Sequence, residues 1–314
     1  MGILYFFEKI RNPFLDGLFY GITQMGDEIF FLAVALVIFW CINKKMGYFL
    51  MSTCFFGIVL NQFLKLAFKI PRPWVAHPDF HPVSAAIGSA AGYSFPSGHT
   101  QNAVSIFGCL FAGSGILFKN KRTKVSFCIL CTLFAAAVSI SRMYLGVHTL
   151  QDVLFSAVLA VIMVIVFRPV FLKKTKNSYT IPVIIGIMLV CSVAYLFYSH
   201  TLTSADLTEL ENILSGQKHA WYMLGGVLGI LVFYPLERKF INFDPKTTLG
   251  IQLIKIIPGF ILAVALKELM KIPLDAIFSG HGISHAIRYF TLVAFAVFVW
   301  PLCFKQFEKL KKNK

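Results

Sequence analysis

Three short stretches of this 314-residue chain combine residue types that hold and attack an anion. The first is Lys65-Leu-Ala-Phe-Lys69-Ile-Pro71-Arg72-Pro73 and the second Pro96-Ser97-Gly98-His99. The third is Ser141-Arg142-Met-Tyr-Leu-Gly-Val-His148-Thr-Leu-Gln-Asp152. Lys65, Arg72 and Arg142 are cations at the edges of apolar runs, where an ionisable residue without a role is costly. Arginine offers a planar fork for phosphate oxygens and lysine a point charge. Ser97-Gly98-His99 follows a proline and opens an apolar run, so free backbone N–H groups and the positive end of a helix dipole would face an anion there. Gly98 lets the backbone come close. His148 and Asp152 stand four apart and would share a face if both lie on a helix. The carboxylate can then keep one ring nitrogen protonated and leave the other free to attack. Two histidines, three cations and a helix N-terminus make a phosphoryl-transfer site that calls for no metal and no other cofactor. A lone His-x-x-x-Asp, a lone Ser-Gly-His or a single Arg-Pro would mean little, and the specificity lies in all three segments occurring in order.

The elements that must position these residues are membrane helices. Hydrophobic residues make up 57% of the chain and charged residues 14%, with a mean hydropathy of +0.74. Soluble domains carry roughly a quarter charged residues. The apolar content falls into nine blocks, near 29–43, 47–66, 100–118, 125–141, 151–170, 180–199, 220–236, 249–267 and 286–304. Each approaches the length needed to cross a hydrocarbon core of ~30 Å. A large soluble helical core would leave too little polar surface to cover its outside. The expected fold is therefore an all-α polytopic membrane protein. The opening MGILYFFEKIRNPF has its charges after a short apolar run, so no cleavable signal peptide is expected. Residues 12–25 read as an interfacial amphipathic helix between Pro13 and Gly26. The seven cysteines sit within or at the ends of spans, as small core residues rather than a disulfide framework or metal site.

A net charge of +15 raises the question of nucleic acid, and the placement of the charges answers it. With nine spans, 18 of the 29 basic residues fall on alternate connections, namely 44–45, 119–124, 168–176, 238–246 and the tail 305–314. The positive-inside rule makes that side cytoplasmic, with the N-terminus and the three segments outside and the C-terminus inside. The basic excess is a topology signal, and no nucleic-acid partner is expected. Lys255, inside the eighth span, is expected to snorkel toward the basic side. All eight histidines (77, 81, 99, 148, 200, 219, 281 and 285) then lie on or near the outer face.

The three segments resemble the signature of the type 2 phosphatidic acid phosphatase superfamily, which also includes glucose-6-phosphatase and the vanadium haloperoxidases. The resemblance spans about residues 25–172, without departure at a motif position. It implies a helical-bundle phosphatase core of five to six spans, residues 1–175, and sets apart 176–314 as a C-terminal transmembrane extension. It also implies that His148 forms a phosphohistidine supported by Asp152. His99 would protonate the leaving oxygen and then activate water. Lys65, Arg72, Arg142, Ser97 and the Gly98 N–H would hold the phosphate oxygens. A haloperoxidase activity is not expected, since those enzymes are soluble.

A site at the outer edge of a bundle can be reached laterally by a lipid phosphate. The first expectation is a polyprenyl (undecaprenyl-type) diphosphate, with phosphatidylglycerol phosphate and phosphatidate as alternatives. A soluble phosphate stays open, because nine spans with an outer N-terminus also resemble glucose-6-phosphatase. The reading from another class is a lipid transporter or scaffold, which would not need His148, Asp152 and His99 together. His77, Asp79 and His81, stiffened by Pro78 and Pro82, read as a lid over the site, with a metal site as the weaker alternative. Trp74 and Tyr93 read as membrane-interface aromatics that could line the entrance.

The extension holds an internal echo at a shift of 202 positions. Leu64-Lys65 falls on Leu266-Lys267, Lys69-Ile70-Pro71 on Lys271-Ile272-Pro273, and Gly57 on Gly259. After a loop about twenty residues shorter, Ser279-Gly280-His281 repeats Ser97-Gly98-His99, though Arg72 becomes Leu274 and no third segment follows. Two readings stand, a degenerate partial repeat of the core and a coincidence of apolar composition.

Overall fold

A computed structural model of the chain describes all residues except 89, 173–179, 305 and 308–314. The basic residues Lys173, Lys174, Lys176, Lys305, Lys309, Lys311, Lys312 and Lys314, used above to argue orientation, lie outside the described residues. The described residues form helices and their connections, with no strand among them. In order the helices are α1 Gly2–Ile10, α2 Pro13–Thr23, α3 Glu28–Val37, α4 Lys44–Phe68, α5 Pro73–Ala76, α6 Ser84–Ile87, α7 Gly98–Leu117 and α8 Lys121–Tyr144. They continue as α9 Leu150–Leu172, α10 Thr180–Thr201, α11 Leu207–Leu236, α12 Leu249–Leu269, α13 Lys271–Ile277, α14 Ile283–Ala294 and α15 Trp300–Leu302.

Eight of the described helices are long and apolar enough to cross a membrane. A ninth span exists only if the segments 13–26 and 28–42, bent by 52° at their junction, count together. The first block expected at 29–43 is too short to stand alone, and the interfacial helix expected at 12–25 is its bent partner. Between the blocks expected at 180–199 and 220–236, the chain is helical from Leu207 onward because Asp206 Oδ1 accepts the Glu209 N–H at 2.8 Å and caps the helix.

Local chemistry sets the ends that matter. Asn12 caps α2 ahead of Pro13, Asn120 caps α8, and Ser97 caps α7. Each such cap contributes about 1 kcal/mol. Lys69, at φ 49°, ends α4 in a left-handed residue whose N–H returns to the Lys65 carbonyl at 3.0 Å. Pro71 and Pro73 then prevent the helix from resuming.

The chain forms two compact units. One comprises 1–34, 49–173 and 203–216, and the other 35–48, 174–202 and 217–314. In the first, α7 packs on both α8 and α9, which are joined to each other by 145–149. Short connections make neighbours antiparallel, so the end of α8 and the starts of α7 and α9 meet at one end of this unit. Ile129, Leu133, Val158, Ile162 and Ile165 stay exposed on α8 and α9, as a lipid-facing surface requires.

In the second unit, Gly225 and Gly229 let α11 approach the α14 backbone closely, against Ala286, Phe290 and Val293. Lys255 reaches toward the 238–246 connection, as expected, but its head is not solvated. It is fully buried, its ammonium 4.6 Å from the Phe304 ring centre and 3.4 Å from the Asp244 carbonyl oxygen. The two halves of the sequence echo differ locally. Lys69-Ile70-Pro71 is non-helical, whereas Lys271-Ile272-Pro273 opens α13.

Candidate active site

The turn 145–149 between α8 and α9 carries His148. It contains Gly146 at φ +77°, where a Cβ would stand 2.7 Å from Arg11 Nη2 and 2.8 Å from Phe80 Cζ. Glycine is required there for both conformation and space. Arg11 clamps the turn. Its Nε and Nη2 donate to the Tyr144 carbonyl at 3.1 and 2.9 Å, and Nη1 donates to the His81 carbonyl. Tyr144 itself stacks on Phe19 and donates its hydroxyl to Asp16 at 2.8 Å.

His148 and Asp152 are neighbours, but not through a shared helical face as their spacing implied. His148 precedes α9, whose cap is Thr149. The Thr149 N–H donates to Asp152 Oδ2 at 2.8 Å and the Asp152 N–H donates back to Thr149 Oγ1 at 3.3 Å. This reciprocal capping box fixes the carboxylate. Asp152 Oδ2 also accepts from Ser94 Oγ at 2.6 Å and lies 3.4 Å from His148 Nδ1. On the other side of the ring, Arg72 Nη1 lies 3.0 Å from His148 Nε2. Guanidinium can only donate, so Nε2 carries the lone pair and the proton sits on Nδ1, toward the carboxylate. Burial first, and then the positive charges of Arg72, Arg142 and Lys65, hold the His148 imidazole well below the usual histidine range. The ring is buried and neutral, with its free nitrogen pointed at a cation.

Lys65, Arg72 and Arg142 are 6%, 6% and 1% exposed. Three consecutive carbonyls of the loop before α7 receive two of them. Ala91 and Gly92 accept from Arg72 Nη2 and Nε, each at 3.0 Å, and Tyr93 accepts from Lys65 Nζ. Arg72 Nη1 adds the Val147 carbonyl at 2.9 Å. Arg142 Nη1 donates to Thr23 at 3.0 Å, while its buried Nε has no partner. The three cations repel one another within this enclosed space, and the carboxylates that offset them are Asp152 and the half-buried Asp27. The site therefore carries excess positive charge on fixed donors, which an anion with several oxygens would neutralise.

His99, half-buried in the first turn of α7, lies in the field of the same three cations. Ser97 is placed differently from the expectation. Its hydroxyl donates to Thr100 Oγ1 at 3.0 Å and accepts the Thr100 N–H at 3.4 Å, so it serves as the cap of α7. A Cβ on Gly98 would meet only Asn61 Oδ1, at 3.7 Å, so no protein atom demands glycine there.

The rim differs from the sequence reading in two places. Asp79 Oδ2 accepts from Tyr5 at 2.7 Å, and Glu8 Oε1 accepts the His81 N–H at 3.0 Å, so α1 holds the 77–81 loop. Among the described residues, no three His, Cys, Asp or Glu side chains converge as a metal would require. Trp74 packs over Arg72, its ring centre 5.9 Å from the guanidinium carbon, and Tyr93 is buried. Reasoning from sequence missed Arg11, Ser94 and the 91–93 carbonyls. Only Gly92, as a turn residue, and Arg11, as a charge between two apolar segments, left a signal.

The model of the PAP2 superfamily matches residues 45–176, which contain Lys65, Arg72, Ser94, Ser97, His99, Arg142, His148 and Asp152. The phosphatidylglycerophosphatase B of Bacillus subtilis (strain 168) is 31% identical over 152 residues, 46% of this chain and 70% of that protein. The chain belongs to the PAP2 superfamily. Its members hydrolyse phosphate esters, and this membrane protein is a phosphatase of that family. Residues 221–313 match a second model, the transmembrane extension of PAP2 superfamily phosphatases. The undecaprenyl-diphosphatase BcrC of the same Bacillus strain is 31% identical over 161 residues, 50% of this chain and 75% of that protein. Mouse sphingosine-1-phosphate phosphatase 1 is 25% identical over 274 residues, 84% of this chain and 61% of that protein. Among solved structures, a transmembrane PAP2-type phosphatidylglycerolphosphate phosphatase from Bacillus subtilis aligns at 27% identity and a TM-score of 0.47, covering 56% of this chain and 85% of that one.

Proposed function

We propose that this PAP2 phosphatase releases phosphate from a lipid phosphate or diphosphate through a phosphohistidine on His148. The observation that carries this reading is the 3.0 Å approach of Arg72 to His148 Nε2. A phosphate oxygen held by Arg72, Lys65 and Arg142 brings phosphorus to the lone pair of that nitrogen. In the first step the Nε2–P bond forms as the bond from phosphorus to the leaving oxygen breaks, and His99 gives that oxygen a proton. In the second, His99 takes a proton from water, the water oxygen bonds to phosphorus, and the N–P bond breaks to release orthophosphate. Asp152 stabilises the positive ring in between. The charge on phosphate is met by side chains, so turnover should persist in EDTA.

The substrate class put first is a polyprenyl diphosphate at the outer membrane face. A second reading, a single-chain lipid monophosphate, is favoured by the similarity to sphingosine-1-phosphate phosphatase 1, which covers 84% of this chain and so reaches into the C-terminal extension. Phosphate release by purified protein from prenyl diphosphate, phosphatidylglycerol phosphate, phosphatidate, a long-chain base phosphate and glucose 6-phosphate separates them. His148→Ala should lower release by several powers of ten on every active substrate. Vanadate should inhibit, as a trigonal-bipyramidal adduct on His148 imitates in-line transfer. Retention of more than a few per cent of activity in His148→Ala, or strict dependence on added magnesium, would overturn the mechanism.

A further inference from the structure

The second unit contains a buried cation that phosphatase chemistry does not use. Arg288 lies in α14, about one and a half turns after the helix begins. It is 6% exposed, and among the described residues it makes no ion pair. Its Nη2 donates a long hydrogen bond of 3.3 Å to the Tyr222 hydroxyl, and its Nε donates to nothing. The guanidinium carbon stands 5.5 Å from the Tyr222 ring centre and 5.8 Å from that of Tyr289, which stack on each other at 4.5 Å. Two ring faces recover part of the hydration that burial removes, and a neutral hydroxyl recovers little more. An arginine left in this condition within an apolar span calls for an anion.

The surroundings point the same way. Gly225 and Gly229 draw α11 onto α14, which places Tyr222 beside His285, with ring centres 5.0 Å apart. Arg288, Lys218 and Lys271 bring positive charge to bear on His285, against one carboxylate, Asp275. Asp275 is itself occupied, accepting from Ser284 Oγ at 2.8 Å. His281 and His200 pack on the edges of the neighbouring Trp221 at 5.5 and 5.9 Å, so aromatic rings wall this end of the unit. We infer that Arg288, with Lys218 and Lys271 at its rim and Tyr222 and Tyr289 as walls, forms a phosphate-anion site in the extension, separate from the catalytic one. The shared chemistry is a phosphate oxygen pair on the guanidinium edge, supplied either by the headgroup of an anionic phospholipid or by free phosphate.

The test uses full-length His148→Ala protein in detergent, so that no ligand is hydrolysed. Native mass spectrometry would compare retention of phosphatidylglycerol and phosphatidylcholine by this parent and by Arg288→Gln and Arg288→Lys on the same background. The expected result is one retained phosphatidylglycerol, bound at least ~10-fold more weakly after Arg288→Gln and less weakened by Arg288→Lys, with phosphatidylcholine indifferent. A parallel thermal-shift series with inorganic phosphate identifies the source. If free phosphate stabilises the parent and not Arg288→Gln, while lipid retention is unchanged, the ligand is the free anion. If Arg288→Gln alters neither, or if phosphatidylcholine binds as well as phosphatidylglycerol and free phosphate has no Arg288-dependent effect, the inference is wrong. On the wild-type background, phosphate release by Arg288→Gln reports that the chain is folded. If that variant does not fold, Lys218→Gln/Lys271→Gln decides, with a loss of at least ~3-fold expected and no loss overturning the site.

Discussion

Asp152→Asn isolates the step at which the buried ring becomes charged. While His148 is neutral, the carboxylate stands 3.4 Å from Nδ1 without a hydrogen bond to it. Once Nε2 is bonded to phosphorus the ring is a cation, enclosed with Lys65, Arg72 and Arg142. Two unit charges 3.4 Å apart interact by about 5 kcal/mol at an effective dielectric constant near 20. Removing one of them should therefore lower kcat by ~10^3-fold or more. The fold should survive, because an asparagine oxygen can still accept from Thr149 N–H and Ser94 Oγ, the two donors that hold Oδ2 at 2.8 and 2.6 Å. Ser94→Ala leaves the charge in place and removes one hydrogen bond to a charged group, which is worth ~1.5–3 kcal/mol and corresponds to ~10- to 100-fold. The assay is single-turnover and steady-state phosphate release at neutral pH, with size-exclusion profiles as the folding control. An Asp152→Asn protein that kept more than a tenth of wild-type kcat would show that the carboxylate does not stabilise the ring cation. A Ser94→Ala protein as damaged as Asp152→Asn would mean that position matters more than charge.

Burial and three cations disfavour the protonated His148, so the neutral form persists as pH falls past its ordinary value of 6.5. The acid limb of kcat/KM should lie below that pH and move upward in Arg142→Gln, which removes a repelling charge; an unmoved limb would assign it to another group. Gly146→Ala must fit a Cβ 2.7 Å from Arg11 Nη2 at positive φ, and should lose most activity and lower the thermal midpoint by several degrees. Arg11→Gln should lower kcat ~10-fold or more with a smaller change in KM, with partial rescue in Arg11→Lys; equal loss in both would indicate a purely structural effect. Cysteine labelling should place 74–98 and 200–219 outside and 119–124 inside, and the inverse pattern would remove the outer-face substrate from consideration.

Much of the site was legible because polar residues in a membrane sequence have few bland explanations. Lys65, Arg72, His99, Arg142, His148 and Asp152 all fall in the first unit, and five of them are buried together at its helix ends. What was not legible is what holds them. The acceptors for Arg72 and Lys65 are the carbonyls of Ala91, Gly92 and Tyr93, and a backbone oxygen has no residue type. Arg11 reaches 133 positions along the chain to Tyr144, a distance that no local pattern encodes. The first span is only partly legible for a related reason. Hydropathy sees the 28–42 segment but not the 52° bend that joins it to the segment before it.

The pairing of His148 with Asp152 was read correctly for an incorrect reason, and the difference bears on mechanism. A shared helical face would tie the ring to α9 through side-chain rotamers alone. In the structure the ring lies outside the helix, and the carboxylate is the N3 residue of a capping box whose cap, Thr149, is His148's immediate neighbour. The backbone N–H that Oδ2 accepts belongs to the residue bonded to His148, so the acid and the base are fixed to each other through one peptide unit. Ser94 and the Ser97 N–H, which donates to the Asp152 carbonyl at 3.4 Å, tie that unit in turn to the start of α7, where His99 lies. The candidate nucleophile His148 and the candidate proton donor His99 are thus registered through Asp152. This is why Asp152 should be the residue at which loss of charge and loss of alignment can be separated, by asparagine for the first and by Ser94→Ala for the second.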